Sequence, residues 1–338
     1  MTPSPQVVLD HWNRVFHPRW LACLEAMLEA HESRHSPYPY LLRIVGPTGV
    51  GKSELIEELI RLFPPQEDEF GPRIRILRVE IPALTTPKTL LIQLLCALGD
   101  ETPTYGTAGV MEHRVLTLLK SARVELLAVD EVHHFVVSGG KVSVNEVSDM
   151  FKGLLNKARL PVVLIGARSS RLLFSVNSQL RSRARPILDL PPFRWDNPAD
   201  RGSFLAVFKR QMPFGFDNDD ALLTAEIGLR LWCATGGVSR QMRALGMELK
   251  KLSAAHKRLD LEVLSKAFKR SIWGECNDDS NPFHASFQAR TLEKAGEPYE
   301  PDRIEGGLYA LPSQIPALSE IYGQGAEKAR RKRVPRNG

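Results

Sequence analysis

Residues 46–53 read Gly46-Pro47-Thr48-Gly49-Val50-Gly51-Lys52-Ser53, and no other stretch constrains the chain as much. Gly46 and Gly51 bracket four residues and are followed by a lysine and a hydroxyl residue, the spacing of a loop that cradles phosphate. Gly46, Gly49 and Gly51 leave room for backbone N–H groups, with those of Thr48 and Val50, to close around phosphate oxygens. Lys52 brings a point charge towards the β- and γ-phosphates of a nucleotide. The Ser53 hydroxyl can complete the shell of a Mg²⁺ ion. The flanks agree: Tyr40–Val45 is an apolar run suited to a buried strand, and Ser53–Phe63 has helical spacing that stops at Pro64-Pro65. The loop therefore opens a helix, whose N-terminus favours an anion.

A second run answers the first. Val124–Val129 is an apolar strand that ends in Asp130-Glu131. In a phosphate-loop fold such a strand lies beside the first with its tip towards the phosphates. Asp130 is then placed to hold Mg²⁺ and Glu131 to polarise the attacking water. His133-His134 follow at once. Adjacent histidines point apart on regular backbone, so joint metal ligation is not expected; a role beside Glu131 is.

The remaining pattern is a run of alternating strands and helices followed by helices alone. Strands are predicted over 73–81, 161–166 and 186–190, and helices over about 88–98, 110–122, 144–158 and 169–177. From Asp196 the spacing is purely helical, with Asp260 placed as an N-cap. His17-Pro18 divides an amphipathic entry segment. The predicted domains are a helical extension (1–38), a nucleotide-binding α/β domain (39–194), a helical lid (195–274) and an extended basic tail (275–338). Within that tail, Asn281-Pro282-Phe283 reads as a docking peptide.

Composition bounds the partners. The net charge is +6, but six bases and one acid fall in residues 325–338, so the rest of the chain is close to neutral. Any nucleic-acid face on the body must come from local placement of charge. No apolar run approaches a membrane span, no signal peptide is apparent, and the four scattered cysteines form no metal or redox motif. Free thiols in a reducing, cytoplasmic setting are expected.

The phosphate loop, the Asp130-Glu131 strand, a basic box before the fifth strand and a helical lid together resemble the AAA+ P-loop ATPases. Within these, Gly46–Ser53, Asp130-Glu131-Val132-His133-His134, Leu154–Gly166, Gln179-Leu180-x-x-Arg183 and Thr235-Gly236-Gly237-x-x-Arg240 resemble the TnsC/TniB family of transposition regulators. The resemblance implies a five-stranded parallel sheet with a small all-helical lid domain, ATP and Mg²⁺ as cofactors, and slow, assembly-dependent hydrolysis. It implies a homo-oligomer, ring or helical filament, formed on double-stranded DNA with weak sequence preference. It also implies partners in a transposase and a target-selection protein. By position, Arg183 matches an arginine finger acting on a neighbour's γ-phosphate, with Arg181 second, and Arg240 matches a lid arginine that senses nucleotide. Lys88 and Arg114 (beside His113) match the DNA-contacting positions. Ala167 departs from the family pattern, standing where a polar residue usually aligns water, with Ser169 and Ser170 nearby. A nucleotide-switched scaffold with little hydrolysis, or another motor or remodeller, are the alternatives; no aromatic-Gly pore loop follows the second strand.

Overall fold

In a computed structural model, residues 17–83, 85–135, 141–171, 182–211, 216–217 and 224–299 are described, with backbone alone at 141–145 and 210–211. The entry segment up to Phe16, and Arg181, lie outside the described residues.

Five strands, β1 (Leu41–Val45), β4 (Ile76–Glu80), β5 (Leu126–Asp130), β6 (Val162–Gly166) and β7 (Leu188–Asp189), form one parallel sheet in the order β4-β5-β6-β1-β7. The numbering leaves room for a short antiparallel hairpin, β2 (Gln66–Asp68) and β3 (Gly71–Arg73). That hairpin is not predicted by the sequence, because its residues are polar and lack an apolar alternation. The fifth strand is shorter than expected: only Leu188 and Asp189 pair, with Ile44 and Val45.

Side chains alternate across the sheet, and each face has its own core. Leu41, Leu77, Leu127, Val129, Val162 and Leu164 face α3 (Pro87–Ala97), α4 (Ala108–Ser121) and α5 (Lys141–Gly153). Leu42, Ile44, Leu126, Ala128, Val163 and Ile165 face α1 (Pro18–Glu32) and α2 (Lys52–Leu62). The entry helix is thus a wall of the core. Trp20, Leu24, Met27, Leu28 and His31 recur at helical spacing and are all buried. Each large apolar side chain so buried contributes about 1.5–3 kcal/mol. His31 closes that stripe at the far end of the sheet: its Nε2 is 2.7 Å from Glu125 Oε2, and Glu125 also meets Arg73 and, at 3.2 Å, Arg75.

Helix starts follow local chemistry. Pro87 stands in the first turn of α3, and Thr86 and Thr89 cap it reciprocally. Among the described residues four lid helices follow: α6 (Pro198–Gln211), α7 (Ala225–Thr235), α8 (Ser239–Leu252) and α9 (Leu261–Ser271). Asp260 caps α9 as predicted, accepting from Val263 N at 2.9 Å.

The compact unit does not stop at residue 274; it continues to Leu292. Asn281 and Phe283, expected in an extended docking peptide, are buried: Asn281 Nδ2 donates to Ser265 Oγ at 2.6 Å, and Phe283 packs edge-on to Phe268. Arg230 holds this segment by donating to the carbonyls of Pro282 and His284. Three aromatic or aliphatic anchors (Phe283, Phe287, Leu292) keep an otherwise polar stretch folded. Residues 293–338 form a second unit; its described part is a turn in which Glu297 N donates to Lys294 O.

Candidate active site

The phosphate loop lies between the tip of β1 and α2. Gly46 cannot carry a side chain, since an added Cβ would lie 2.3 Å from Leu190 O. Gly51 is the N-cap of α2 and adopts a left-handed backbone. Lys52 is buried and its Nζ donates to the carbonyls of Gly46 (2.9 Å) and Pro47 (2.8 Å). Its charge is thereby held inside the loop.

A cleft of about 260 Å³ opens over this loop, lined by Thr48, Gly49, Gly51, Lys52, Ser53, Glu54, Glu57, Glu131, Ser239, Arg240 and Arg243. The structure thus brings Lys52, Ser53, Glu131 and Arg240 to one cavity. The lid is seated directly on the loop, because Arg240 N donates to Gly49 O at 2.9 Å. Trp20, from the entry helix, donates through Nε1 to Gly51 O at 3.1 Å. Arg243, one turn beyond Arg240, reaches Glu54 at 3.5 Å.

Asp130 is buried at the tip of β5. Its Oδ1 accepts from Glu131 N at 2.9 Å, while Oδ2 has no hydrogen-bond partner among the described residues and lies 3.6 Å from Arg78. A buried carboxylate oxygen left so is costly unless a cation or water completes it. Together with the Ser53 hydroxyl on the cleft wall, this oxygen fits the donor set that Mg²⁺ prefers.

Glu131 has φ 57°, a left-handed backbone unusual for this residue type. Its Oε2 is 3.0 Å from His133 Nδ1. That hydrogen bond, with the charge of Lys52 adding to it and burial opposing, holds the carboxyl below its usual range. His133 Nδ1 is also 3.4 Å from Ala167 N. One nitrogen cannot donate to the carboxylate and accept from the amide, and the shorter contact with Glu131 is the stronger. Burial, then the charge of His133, lowers the pKa of His134, so its imidazole is neutral at neutral pH.

Ala167 is buried at the end of β6 and brings no polar side chain. Ser169 and Ser170 follow, both buried, and the Ser170 hydroxyl donates to Ala167 O at 2.7 Å.

Three predicted site residues, Arg183, Lys88 and Arg114, are not among those lining the cleft. Ala184, next to Arg183, bridges to Leu41 at the start of β1. The phosphate loop follows the other end of that strand, about 13 Å away at ~3.3 Å per residue. Arg183 therefore sits beside the opposite end of β1 from its own loop. Lys88 is exposed in the first turn of α3. Arg114 is engaged: it donates to both oxygens of Asp100 (3.0 and 2.8 Å) and to the carbonyls of Thr102 and Tyr105. It fastens the loop between α3 and α4 to the start of α4.

The model of the bacterial TniB proteins matches residues 9–195, more than half of the chain. The chain belongs to the TniB family. The match spans the phosphate loop, the Asp130-Glu131 strand and Arg183 of this TniB protein. No curated protein matches it. Among solved structures, the Aeropyrum pernix ORC1 protein in complex with DNA is similar with a TM-score of 0.54 at 17% identity, over 79% of this chain and 69% of that one. The Aeropyrum pernix ORC2 protein in ADPNP–ADP complexes gives 0.52 at 14% identity, over 73% and 67%. At such identities the likeness establishes the fold, that of AAA+ P-loop ATPases with a five-stranded parallel sheet and a helical lid.

The sequence missed Trp20 and Arg243 in this TniB site, and His133 is the histidine that stands beside Glu131. Trp20 had a signal, since an indole at the head of an amphipathic helix needs a partner for its N–H once buried. Arg243 could have been found from its spacing three residues after Arg240 on one helix. No local signal marks the left-handed Glu131.

Proposed function

We propose that this TniB protein is an ATP-dependent regulator of DNA transposition that oligomerises on duplex DNA and links target-site selection to a transposase. The observation that carries the reading is the convergence of Lys52, Ser53, Glu131 and Arg240 on one cleft in a chain of the TniB family. The backbone amides of 46–51 and Lys52 hold the phosphates, while Ser53 and Asp130 hold Mg²⁺, which neutralises charge developing on the phosphoryl oxygens. Glu131 orients and polarises the attacking water, with His133 beside its carboxylate. Arg240 reads the nucleotide from the lid. Arg183, remote from its own cleft, serves a neighbour's, so hydrolysis depends on assembly and resets it.

DNA contact falls to Lys88, repeated around the oligomer. Arg114 acts beside it by shaping the Asp100–Tyr105 loop. A single base per subunit is weak alone, but salt-dependent affinity grows with the number of phosphates neutralised.

A second reading, a nucleotide-switched scaffold that hardly hydrolyses, is favoured by one feature: apolar Ala167 at the water-aligning position. One experiment addresses both. Binding of the full chain to a random labelled duplex is measured with ATP-γ-S and with ADP across a salt series, alongside turnover with and without DNA. Cooperative, salt-sensitive binding with the ATP analogue only, and DNA-stimulated turnover, support the first reading. Nucleotide-dependent binding without turnover supports the second. Binding indifferent to nucleotide overturns both.

A further inference from the structure

Adjacent histidines are expected to diverge, yet here they do not. Val132 and Phe135 are both fully buried, and Val132 N is tied to Ile165 O at 3.0 Å. With those two anchors inward, His133 and His134 are left on the outer side of one tight turn, closed by His134 N donating to Glu131 O at 3.1 Å. The left-handed backbone of Glu131 starts that turn and folds its carboxylate back over the same side. The two imidazole centroids are 4.2 Å apart. One ligand atom from each of Glu131, His133 and His134 lies within 4.8 Å of the others. All three side chains are partly open to solvent, so an ion has an entry path.

We propose that Glu131, His133 and His134 form a binding site for a divalent transition-metal ion of the Zn²⁺ class, distinct from the Mg²⁺ position at Ser53 and Asp130. Two imidazoles and one carboxylate are a donor set for zinc, with a water as fourth ligand. Hard Mg²⁺ prefers oxygen ligands alone, so the two sites select different ions. Ligand bonds of about 2.0–2.1 Å put tetrahedral donor atoms about 3.3 Å apart. The Glu131–His133 separation of 3.0 Å is already near that edge. Backbone strain at Glu131 is of a kind that clusters at functional sites. On the hydrolytic reading above, an ion here ties up the carboxylate that activates water, so zinc acts as a brake on turnover.

The site is tested on the full, untagged, nucleotide-free chain with Co²⁺ as the spectroscopic probe and Zn²⁺ as competitor. One equivalent of Co²⁺ should give visible bands of a four-coordinate nitrogen–oxygen site, displaced by Zn²⁺. His133→Ala and His134→Ala should each weaken binding by more than about tenfold, since even outer-shell partners are worth about 10–100-fold. Lys52→Ala, which removes a cation that acts on Glu131, should not weaken it. Circular dichroism of each variant guards against misfolding, and His134→Gln supplies a milder replacement. No Co²⁺ band, a band that survives both alanine variants, or a sulfur charge-transfer band pointing to exposed Cys96 overturns the site. Zn²⁺ inhibition of ATP turnover, compared with and without Zn²⁺ in wild type and in His134→Ala, tests the brake separately. Binding without inhibition overturns the brake and questions the role of Glu131, while leaving the metal site standing.

Discussion

The backbone N–H of Arg240 donates to the carbonyl oxygen of Gly49 at 2.9 Å, so a main-chain bond seats the lid on the phosphate loop. Gly49 has φ 85°, and a Cβ there would stand 3.0 Å from both the Arg240 Cβ and a Val238 methyl. Gly49→Ala therefore meets two costs at once. The left-handed backbone costs an L-residue about 1–2 kcal/mol, and the lid must give way by a few tenths of an ångström. We expect a lowered Tm and at least a severalfold loss of ATP affinity, measured by thermal unfolding with and without MgATP. A variant that binds ATP as well as wild type would show that the lid contact does not shape the loop.

Trp20 makes the entry helix part of the same loop. Its Nε1 donates to Gly51 O at 3.1 Å, and the side chain is only 3% exposed. Trp20→Phe keeps most of the apolar volume and removes the donor. Loss of one such bond is worth about 1 kcal/mol, so a severalfold rise in the Kd for ATP is expected with little change in secondary structure. Because the indole touches the loop, nucleotide addition should also change the wild-type fluorescence. The signal missing in Trp20→Phe identifies its source; a signal that persists would point to another tryptophan.

Acid should weaken the fold through His31. Burial first, then the neighbouring Arg34 guanidinium, pushes its pKa down to about 4. Arg34 donates to His31 Nδ1 at 3.0 Å, so the neutral ring uses Nε2–H towards Glu125, and a second proton would face Arg34. The folded pKa lies below the unfolded value, so the unfolded chain binds more protons between the two. Stability from this group is full above about pH 6.5 and falls as the pH drops towards 4, by at most ~3 kcal/mol. His31→Gln keeps a donor and an acceptor but does not titrate. Denaturant unfolding from pH 7 to pH 4 should be flatter in His31→Gln; parallel curves would place the acid sensitivity elsewhere.

What could be read from sequence was local in origin. The phosphate loop, the Asp130-Glu131 strand tip, the Asp260 cap and the Pro87 helix start each depend on residues a few positions apart. The lid's seat on Gly49, the Trp20–Gly51 bond and the burial of Phe283 depend on residues from 15 to more than 180 positions apart, which no periodicity encodes. His133 and His134 failed for a different reason. The expectation of divergence assumed regular backbone, and one left-handed residue, Glu131, removes that premise. Arg114 looked like a free surface base until the structure brought Asp100 to it.

Arg183 offers the sharpest test of assembly-dependent chemistry. Its neighbour Ala184 bridges to Leu41, at the opposite end of β1 from the phosphate loop, so a strand about 13 Å long separates the backbone beside this arginine from its own loop. If it completes a neighbour's site, Arg183→Ala should bind ATP normally yet lose DNA-stimulated turnover, by ~10³-fold or more on the scale of arginine fingers in general. Lys52→Ala should fail to hold nucleotide but still carry a sound Arg183. Mixed in equal amounts on duplex DNA, the two variants can form interfaces that join an intact phosphate loop to an intact Arg183. Neither variant alone should turn over, and the mixture should regain a measurable fraction of wild-type rate. Glu131→Gln in place of Lys52→Ala should rescue at least as well, because it leaves Arg183 in place and still holds the nucleotide on which assembly depends. Turnover by Arg183→Ala alone at the wild-type rate would remove the trans role. A mixture as inactive as its components, with co-assembly confirmed by cross-linking, would remove it too.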